Sequence, residues 1–471
     1  MNKIREKHPL AIRWFHWINF PVLFVMMWTG MLIYWANDEY AITVGDYQII
    51  NFFPKWIYSF FRFPHRLAEG MAYHFIFMWL FMMNGFLYVV FTALSGQWRQ
   101  LVPKKHSFKE AWQVLLHDLH IKRFLPPQDK YNAAQRIAYS AIIVMGFGSV
   151  ITGIAIYKPV QFNWLCNLLG GYHMARIEHF ILTIGYMLFF LVHVTQVIIA
   201  GWNNFRSVVA GFEIVEDTKE HAKSAPQKII NRRTWISFSV LGVGTLLAWG
   251  GWKWLRGSAW EKRGVTGGLP KPVRGLSNAN DQVAETIFNS NRLVKTYPKN
   301  LAARNVRRNG TLGLKNDPEK DWTLNVEKKN GSVLQISLDE IKSLPRTEII
   351  YDFKCIEGWD QVSHWGGARF CDFIDHYKLN EEAAMKYVSL VTPDKKYFVG
   401  IDLPSVMHSQ TLLCYEVNGQ QLPLVHGYPL RLIIPVKYGI KNLKRIGTMS
   451  FSDVRPGDYW AQRGYDYHSG L

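Results

Sequence analysis

Ile177–Ala200 reads I-E-H-F-I-L-T-I-G-Y-M-L-F-F-L-V-H-V-T-Q-V-I-I-A. Its 24 residues are long enough and apolar enough to cross a bilayer as a helix. Two histidines interrupt it, His179 and His193. A ring nitrogen in hydrocarbon is costly without a partner, so an intramembrane histidine marks a site. Fourteen residues on a helix rise ~21 Å, and fourteen steps of ~100° fall about 40° short of four full turns. Both rings therefore point to nearly one face, far apart in depth. One helix offering two imidazoles to one side at two depths has the geometry for two stacked b haems. The plainer alternative is two histidines satisfied by neighbouring helices.

The rest of the chain extends that reading. Of 471 residues 49% are hydrophobic, and up to Arg256 they gather in runs about one bilayer long. Beyond Arg256, glycine, proline and charge are spread as in a water-soluble domain. The net charge is +18, and Met1–Arg256 holds 25 Lys+Arg against 13 Asp+Glu. Basic loops between apolar runs point to anionic lipid and away from nucleic acid. Met1–Leu10 is too polar, and the first apolar run too long, for a cleavable signal peptide. The four cysteines, Cys166, Cys355, Cys371 and Cys414, form no C-x-x-C, which argues against an iron–sulfur or structural zinc site. Cys371 and Cys414 read as buried thiols rather than a disulfide.

Five spans are expected: Trp14–Trp35, Tyr73–Leu94, Arg136–Tyr157, Ile177–Ala200 and Trp235–Leu255. Pro21 lies inside the first, which membrane helices tolerate. Ala36–Ala72 reads as an aromatic interfacial loop, Ser95–Gln135 as a basic loop and Gly201–Arg233 as a polar connection. Lys+Arg in the loops divide 18 to 5 in favour of the N-terminal side. The positive-inside rule then places the N-terminus in the cytoplasm and the C-terminal half outside, across a bacterial inner membrane. This orientation pairs the histidines by depth. His16 enters the first span from inside, and His193 ends the fourth there. His74 and His179 both begin inward-running spans near the outer face. The expected haems are His16–His193 and His74–His179, each with imidazole on both sides of the iron and no open position. His8, His65, His106, His117, His120 and His173 read as surface residues. Gly146, Gly148 and Gly153 in the third span would let a backbone or a flat cofactor approach.

The pattern H-P-L-A-I-R-W-F-H-W-I-N at 8–19, with His74 and the His179/His193 pair, resembles the membrane cytochrome b subunits of thiosulfate reductase, formate dehydrogenase and nickel–iron hydrogenase. The resemblance implies two haems b and a quinone or quinol partner near one haem. Asn231-Arg232-Arg233-Thr234-Trp235 precedes the fifth, Gly-rich span and resembles an internal twin-arginine export signal. A plain positive-inside anchor would also use two arginines.

After a Gly/Pro/Lys linker, short alternating runs such as Trp322–Val326, Val333–Ser337 and Leu430–Val436 read as strands with a few helices between them. Cys355, beside Lys354, is a candidate thiolate for a soft metal. The basic residues of Leu422–Lys444 suit an anionic phosphate group, or simply form a solvated basic face. The stretch H-G-Y-P-L-R at 426–431 and K-Y-G-I-K-N-L-K at 437–444 resembles the sulfite oxidase family of molybdopterin enzymes. That resemblance implies Cys355 as the thiolate on molybdenum and the catalytic cysteine. It further implies that His426, Arg431, Asn442, Leu443 and Lys444 hold the pterin and its phosphate, with Thr392 and Asn291 as further pterin contacts. The continuation Ile356-Glu357-Gly358-Trp359 resembles the catalytic subunit type of periplasmic methionine sulfoxide reductases.

The expected fold is thus a membrane all-α helical bundle of five transmembrane helices, four of them serving haem, followed by a soluble α+β, β-rich sulfite oxidase-like domain. Its parts are a di-haem cytochrome b domain (1–211), a connection with the fifth helix and twin arginines (212–256), a linker (257–277) and a Mo-molybdopterin domain (278–471). The expected function is a quinol-linked molybdenum oxidoreductase that reduces an oxygen-atom donor such as a small or protein-bound sulfoxide. The alternative runs in reverse, oxidising a sulfite-like compound and feeding quinone. A sulfite-like dianion would want several arginines near the metal, and after Cys355 only Arg369 is close in sequence. A third class is an electron-transfer cytochrome whose soluble domain only docks. Oligomeric state stays open, a homo-oligomer included.

Overall fold

In hydrocarbon a backbone must satisfy its own hydrogen bonds, so long apolar runs become helices. In chain order the helices of the N-terminal part are α1 (Leu10–Tyr34), α2 (Leu67–Leu94), α3 (Ser107–Asp118), α4 (Ala133–Tyr157) and α5 (Tyr172–Ala210). The structure is a computed structural model and describes residues 2–36, 41–44, 47–51, 56, 60, 66–118, 121–123, 131–216, 246, 249–255, 257–258, 269–308, 310–314 and 322–471. Among the described residues, α1, α2, α4 and α5 are long and apolar enough to cross a membrane. Their outward residues, such as Phe86, Val144, Leu191 and Ile198, are exposed apolar side chains, as lipid requires. Arg232, Arg233 and most of the expected fifth span lie outside the described residues, as does much of the aromatic loop 36–72.

Several local readings change. Each of the four helices begins before its expected span, because helix propensity and packing carry it past the apolar run. α5 breaks at Gly201 (φ 74°, ψ 179°) but resumes to Ala210, so part of the expected polar connection is helical. The expected basic loop 95–135 contains the amphipathic α3. A helix, α6 (Lys271–Ile287), crosses the expected boundary between linker and soluble domain. His8 is buried and stacks on Tyr131 at 6.1 Å, where surface exposure was expected.

The chain divides into two compact units. One comprises 1–28, 76–154 and 174–258. In it, strand Asn2–Glu6 pairs antiparallel with Phe212–Glu216, and Glu213 binds Lys7 at 2.9 Å. Trp17 Nε1 donates to Val208 O at 3.2 Å, and Asn84 Nδ2 to Phe15 O at 3.2 Å. Gly148 and Gly185 let α4 and α5 touch through Leu182 and Met145.

The other unit comprises 29–75, 155–173 and 259–471. Its strands are β1 (Thr323–Glu327), β2 (Val333–Ser337), β3 (Arg346–Lys354), β4 (Asp360–Arg369), β5 (Tyr387–Val391), β6 (Phe398–Asp402), β7 (Leu412–Val417), β8 (Gln420–Gln421), β9 (Arg431–Ile433) and β10 (Thr448–Ser452). One sheet has the order β6-β5-β10-β1-β2, with only β10 and β1 parallel. The other runs β8-β7-β4-β3, and β9 pairs with β7. Leu67, Ala68, Met71 and Val160 join the same core cluster as Ile336, Trp365, Leu412 and Leu432. The ends of the apolar helices that belong to this unit are therefore packed into the core of the β-rich domain. All four cysteines are free thiols.

Candidate functional site

His16 and His193 face each other with ring centroids 6.1 Å apart. Two imidazoles bonded to one metal from opposite sides, at ~2 Å per bond, stand roughly 6 Å apart between centroids. His16 Nδ1 is buried without a hydrogen-bond partner, and His193 lies flat on Phe189 at 5.5 Å. The pair fits a haem iron between the rings.

His179 and His74 share a different arrangement. Thr152 Oγ1 lies 2.8 Å from His179 Nδ1 and donates its own proton to Gly148 O at 2.7 Å. The hydroxyl would then accept from Nδ1–H, so that Nε2 would be the nitrogen offered to a metal. Gly153 puts its backbone against the ring, its Cβ position 3.5 Å from His179 Cε1. In the other unit Thr29 Oγ1 lies 3.0 Å from His74 Nδ1, and the Cβ position of Gly30 is 3.6 Å from His74 Cε1. Each histidine thus sits on a Thr-Gly dipeptide of another helix. The two threonines were missed in the sequence, although T-G at 29–30 and at 152–153 is a visible repeat.

The candidate molybdenum site is a turn. β3 and β4 pair from Arg346↔Ala368 to Lys354↔Asp360, and Cys355–Trp359 closes the hairpin. Cys355 N–H donates to Trp359 O at 2.9 Å, and Gly358 takes φ +94°, which suits glycine. Burial and the nearby Glu357 carboxylate push the Cys355 thiol up to about 12. A thiolate there needs a strong cation, which a coordinated metal supplies. Glu357 Oε2 accepts from Trp359 Nε1 at 3.1 Å and lies 3.9 Å from Cys355 Sγ. Phe353 stacks on Trp359, and Arg307 lies over the same indole with its Cζ 4.6 Å from the ring centre. A cleft lined by Arg307, Phe353, Trp359, Trp365 and Arg431 opens here.

Beside it is a cluster of cations. Arg431 is 1% exposed, donates Nη1 to His426 O at 3.0 Å, and keeps Nε and Nη2 without partners. Lys444 Nζ reaches Gly310 O at 2.6 Å. Burial pulls Lys444 down to about 7, with the Arg431 and Arg308 charges adding to it. Burial, then Arg431, Lys444 and Arg308, pull His426 down to about 4. Groups that depress one another this way, with donors to spare, fit an anion such as a pterin phosphate. Gly427 (φ +105°) lets the turn close on Lys444, whose Cβ would stand 2.8 Å from an added Cβ.

The other expected residues have structural contacts. Asn442 Oδ1 accepts from Ile434 N–H and its Nδ2 donates to Tyr438 O, so its side chain braces the loop. Leu443 is buried and its carbonyl accepts from Leu432 N–H. Thr392 Oγ1 donates to Asp394 and accepts from Tyr397 N–H. Asn291 is exposed on a turn, its N–H on Asn289 Oδ1, and no hydrogen bond among the described residues joins it to this cluster. Lys437 pairs with Asp402 at 2.6 Å, and Lys441 with Asp458 at 2.5 Å. The arginine expectation also changes. Arg369 pairs with Asp372 at 2.8 Å, while the arginines of the cleft are Arg307 and Arg431.

In the same unit, residues 155–173 are bonded to the β-rich domain. Lys158 Nζ donates to Gly470 O at 2.8 Å, Asn280 Nδ2 to Tyr157 Oη at 2.8 Å, and Asn289 N–H to Gln161 Oε1 at 3.0 Å. Lys354, next to Cys355, lies with its Nζ 5.0 Å from the centre of the Tyr172 ring.

Residues 7–211 match the prokaryotic cytochrome b561 family, and residues 311–460 match the oxidoreductase molybdopterin binding domain. The chain is 31% identical over 198 residues to a protein of Azospira oryzae named "Putative protein-methionine-sulfoxide reductase subunit YedZ1", covering 41% of this chain and 74% of that one. It is 32% identical over 169 residues to the protein-methionine-sulfoxide reductase catalytic subunit MsrP of Ralstonia nicotianae, covering 32% of this chain and 50% of that one. The chain therefore spans only half the length of the Ralstonia relative.

Proposed function

The chain belongs to the prokaryotic cytochrome b561 family, carries a molybdopterin-binding domain and is an integral membrane oxidoreductase with haem b and Mo-molybdopterin; from this premise we propose that it is a quinol-linked sulfoxide reductase. Quinol supplies two electrons and two protons, and a sulfoxide becomes a thioether and water. His16 with His193, and by depth His74 with His179, would hold two haems as electron carriers. Cys355 would hold molybdenum, which when bound supplies oxygen-atom exchange. His426, Arg431 and Lys444 would hold the pterin phosphate, while Asn442, Leu443 and Thr392 shape its loops. Trp359 holds the Glu357 carboxylate beside the thiol. At the inner pair, Gln196 Nε2 donates to Asp118 Oδ2 at 3.1 Å, one turn beyond His193. That carboxylate, with His117 beside it, would accept a quinol proton.

The observation that carries this reading is the bonded packing of 155–173 against the Cys355 domain within one unit. A merely tethered domain would need no buried Lys158–Gly470 bond and no Lys354–Tyr172 contact. The expected setting is a bacterial inner membrane with the molybdenum domain on the periplasmic side. The test uses membranes whose haems have been reduced by quinol. Methionine sulfoxide should reoxidise the b haems, and sulfite should leave oxidised haems oxidised. Haem reduction by sulfite would reverse the direction in favour of the dehydrogenase. Protein free of molybdenum would leave only the docking role.

A further inference from the structure

α3 connects α2 to α4 and has two unlike faces. Ser107 and Val114, seven residues apart, are buried. Phe108, Trp112 and Leu115, at spacing i, i+4 and i+7, are 71%, 61% and 43% exposed. Trp98 and Val102 before the helix, and Ile121 after it, continue the exposed apolar strip. Lys104, Lys105 and Lys109 are exposed along the same segment, and Lys122 and Arg123 follow. Water gives no reason for a phenylalanine and a tryptophan to stand out side by side, so the strip marks a contact surface.

We propose that α3 lies in the headgroup layer of the bilayer crossed by the neighbouring helices and binds anionic phospholipid there. Both flanks of the segment are held to those helices. Ser140 of α4 donates to Leu101 O at 3.0 Å, and Gln196 of α5 donates to Asp118. Ser140 is in the first turns of α4, and Gln196 is just before the break of α5 at Gly201. The strip is therefore pinned where apolar helix ends meet headgroups. An aromatic and leucine face with lysines at its border is the chemistry of an interfacial helix on negatively charged lipid. The lysine ammonium groups meet lipid phosphates, while Phe108, Trp112 and Leu115 enter the acyl boundary.

The test is hydrogen exchange of residues 107–118 in the full-length protein. It compares nanodiscs of phosphatidylcholine with nanodiscs that also contain phosphatidylglycerol. In the anionic discs exchange should be slower by roughly tenfold or more at low salt, with the difference fading at high salt. The variant Lys104→Gln/Lys105→Gln/Lys109→Gln alters only exposed side chains. It should keep its haem spectrum and lose the lipid-charge dependence. Equal exchange of the wild type in both discs, or full dependence in the triple variant, overturns the proposal. So does protection that arises only when other membrane proteins are added, which would assign the strip to a protein partner.

Discussion

Thr152→Val is the sharpest probe of the haem assignment. Thr152 is buried, and its hydroxyl proton goes to Gly148 O, so its remaining role is to accept from His179 Nδ1–H at 2.8 Å. Valine keeps the shape and the backbone helix bonds but offers no acceptor. Removing one partner of a buried hydrogen bond costs about 1–3 kcal/mol. Loss of the group that orients a metal-bound imidazole lowers metal affinity roughly 10–100-fold, or about 1.4–2.7 kcal/mol, and the two figures agree. The variant should lose haem to apomyoglobin faster by that factor and shift the midpoint potential of one b haem. Thr152→Ser restores the acceptor and should restore both. Thr195→Val is the control, because Thr195 is exposed and among the described residues its hydroxyl bonds only Leu191 O, at 2.8 Å. Wild-type haem retention and unchanged potentials in Thr152→Val would refute the reasoning.

Cys355→Ser should abolish sulfoxide turnover while quinol still reduces both haems in membranes; an active variant removes Cys355 from the mechanism. Asp281→Asn should flatten the pH dependence of the stability of the β-rich domain. Burial and the neighbouring Asp466 carboxylate push Asp281 up to about 10. The folded chain therefore keeps a proton that the unfolded chain releases near pH ~4. That contribution is fully present at acid pH and is lost as pH rises from about 4 towards 10. Against its own burial, Asp466 is held low by the neighbouring Asp281 carboxyl and the Lys158 charge, so its slope has the opposite sign at the acid end. Thermal unfolding of the full-length protein across pH reads the difference, and identical slopes in wild type and Asp281→Asn would count against a shared proton. Arg232→Lys/Arg233→Lys keeps the charge but removes the guanidinium pair a receptor could read. It should leave haem content unchanged and shield the C-terminal domain from protease added to spheroplasts; normal cleavage would reduce the arginines to topology anchors.

What the sequence by itself determined is what depends on local period and composition. Apolar runs of bilayer length became α1, α2, α4 and α5, since lipid leaves the backbone no other choice. Fourteen-residue spacing set the depths of His179 and His193, and the basic runs marked Arg431 and Lys444. Other features join residues distant in sequence, and only packing brings those together. Thr29 meets His74 and Thr152 meets His179 where helices touch through glycine. Lys437 and Lys441 belong to the same motif as Lys444. Asp402 and Asp458 capture them as buried ion pairs, whereas Lys444 stays in the cation cluster. Arg307 reaches Trp359 from another segment, and Asp281 meets Asp466 only because α6 packs against the segment that ends the domain. α3 was hidden in a basic loop because its apolar stripe is short, and its exposed face has meaning only once Ser140 and Gln196 hold its flanks. Periodicity reports which face of an element is apolar; the partner of each polar side chain is chosen by the tertiary fold, where an unpaired buried donor is costly and, as at Arg431, marks a candidate ligand site.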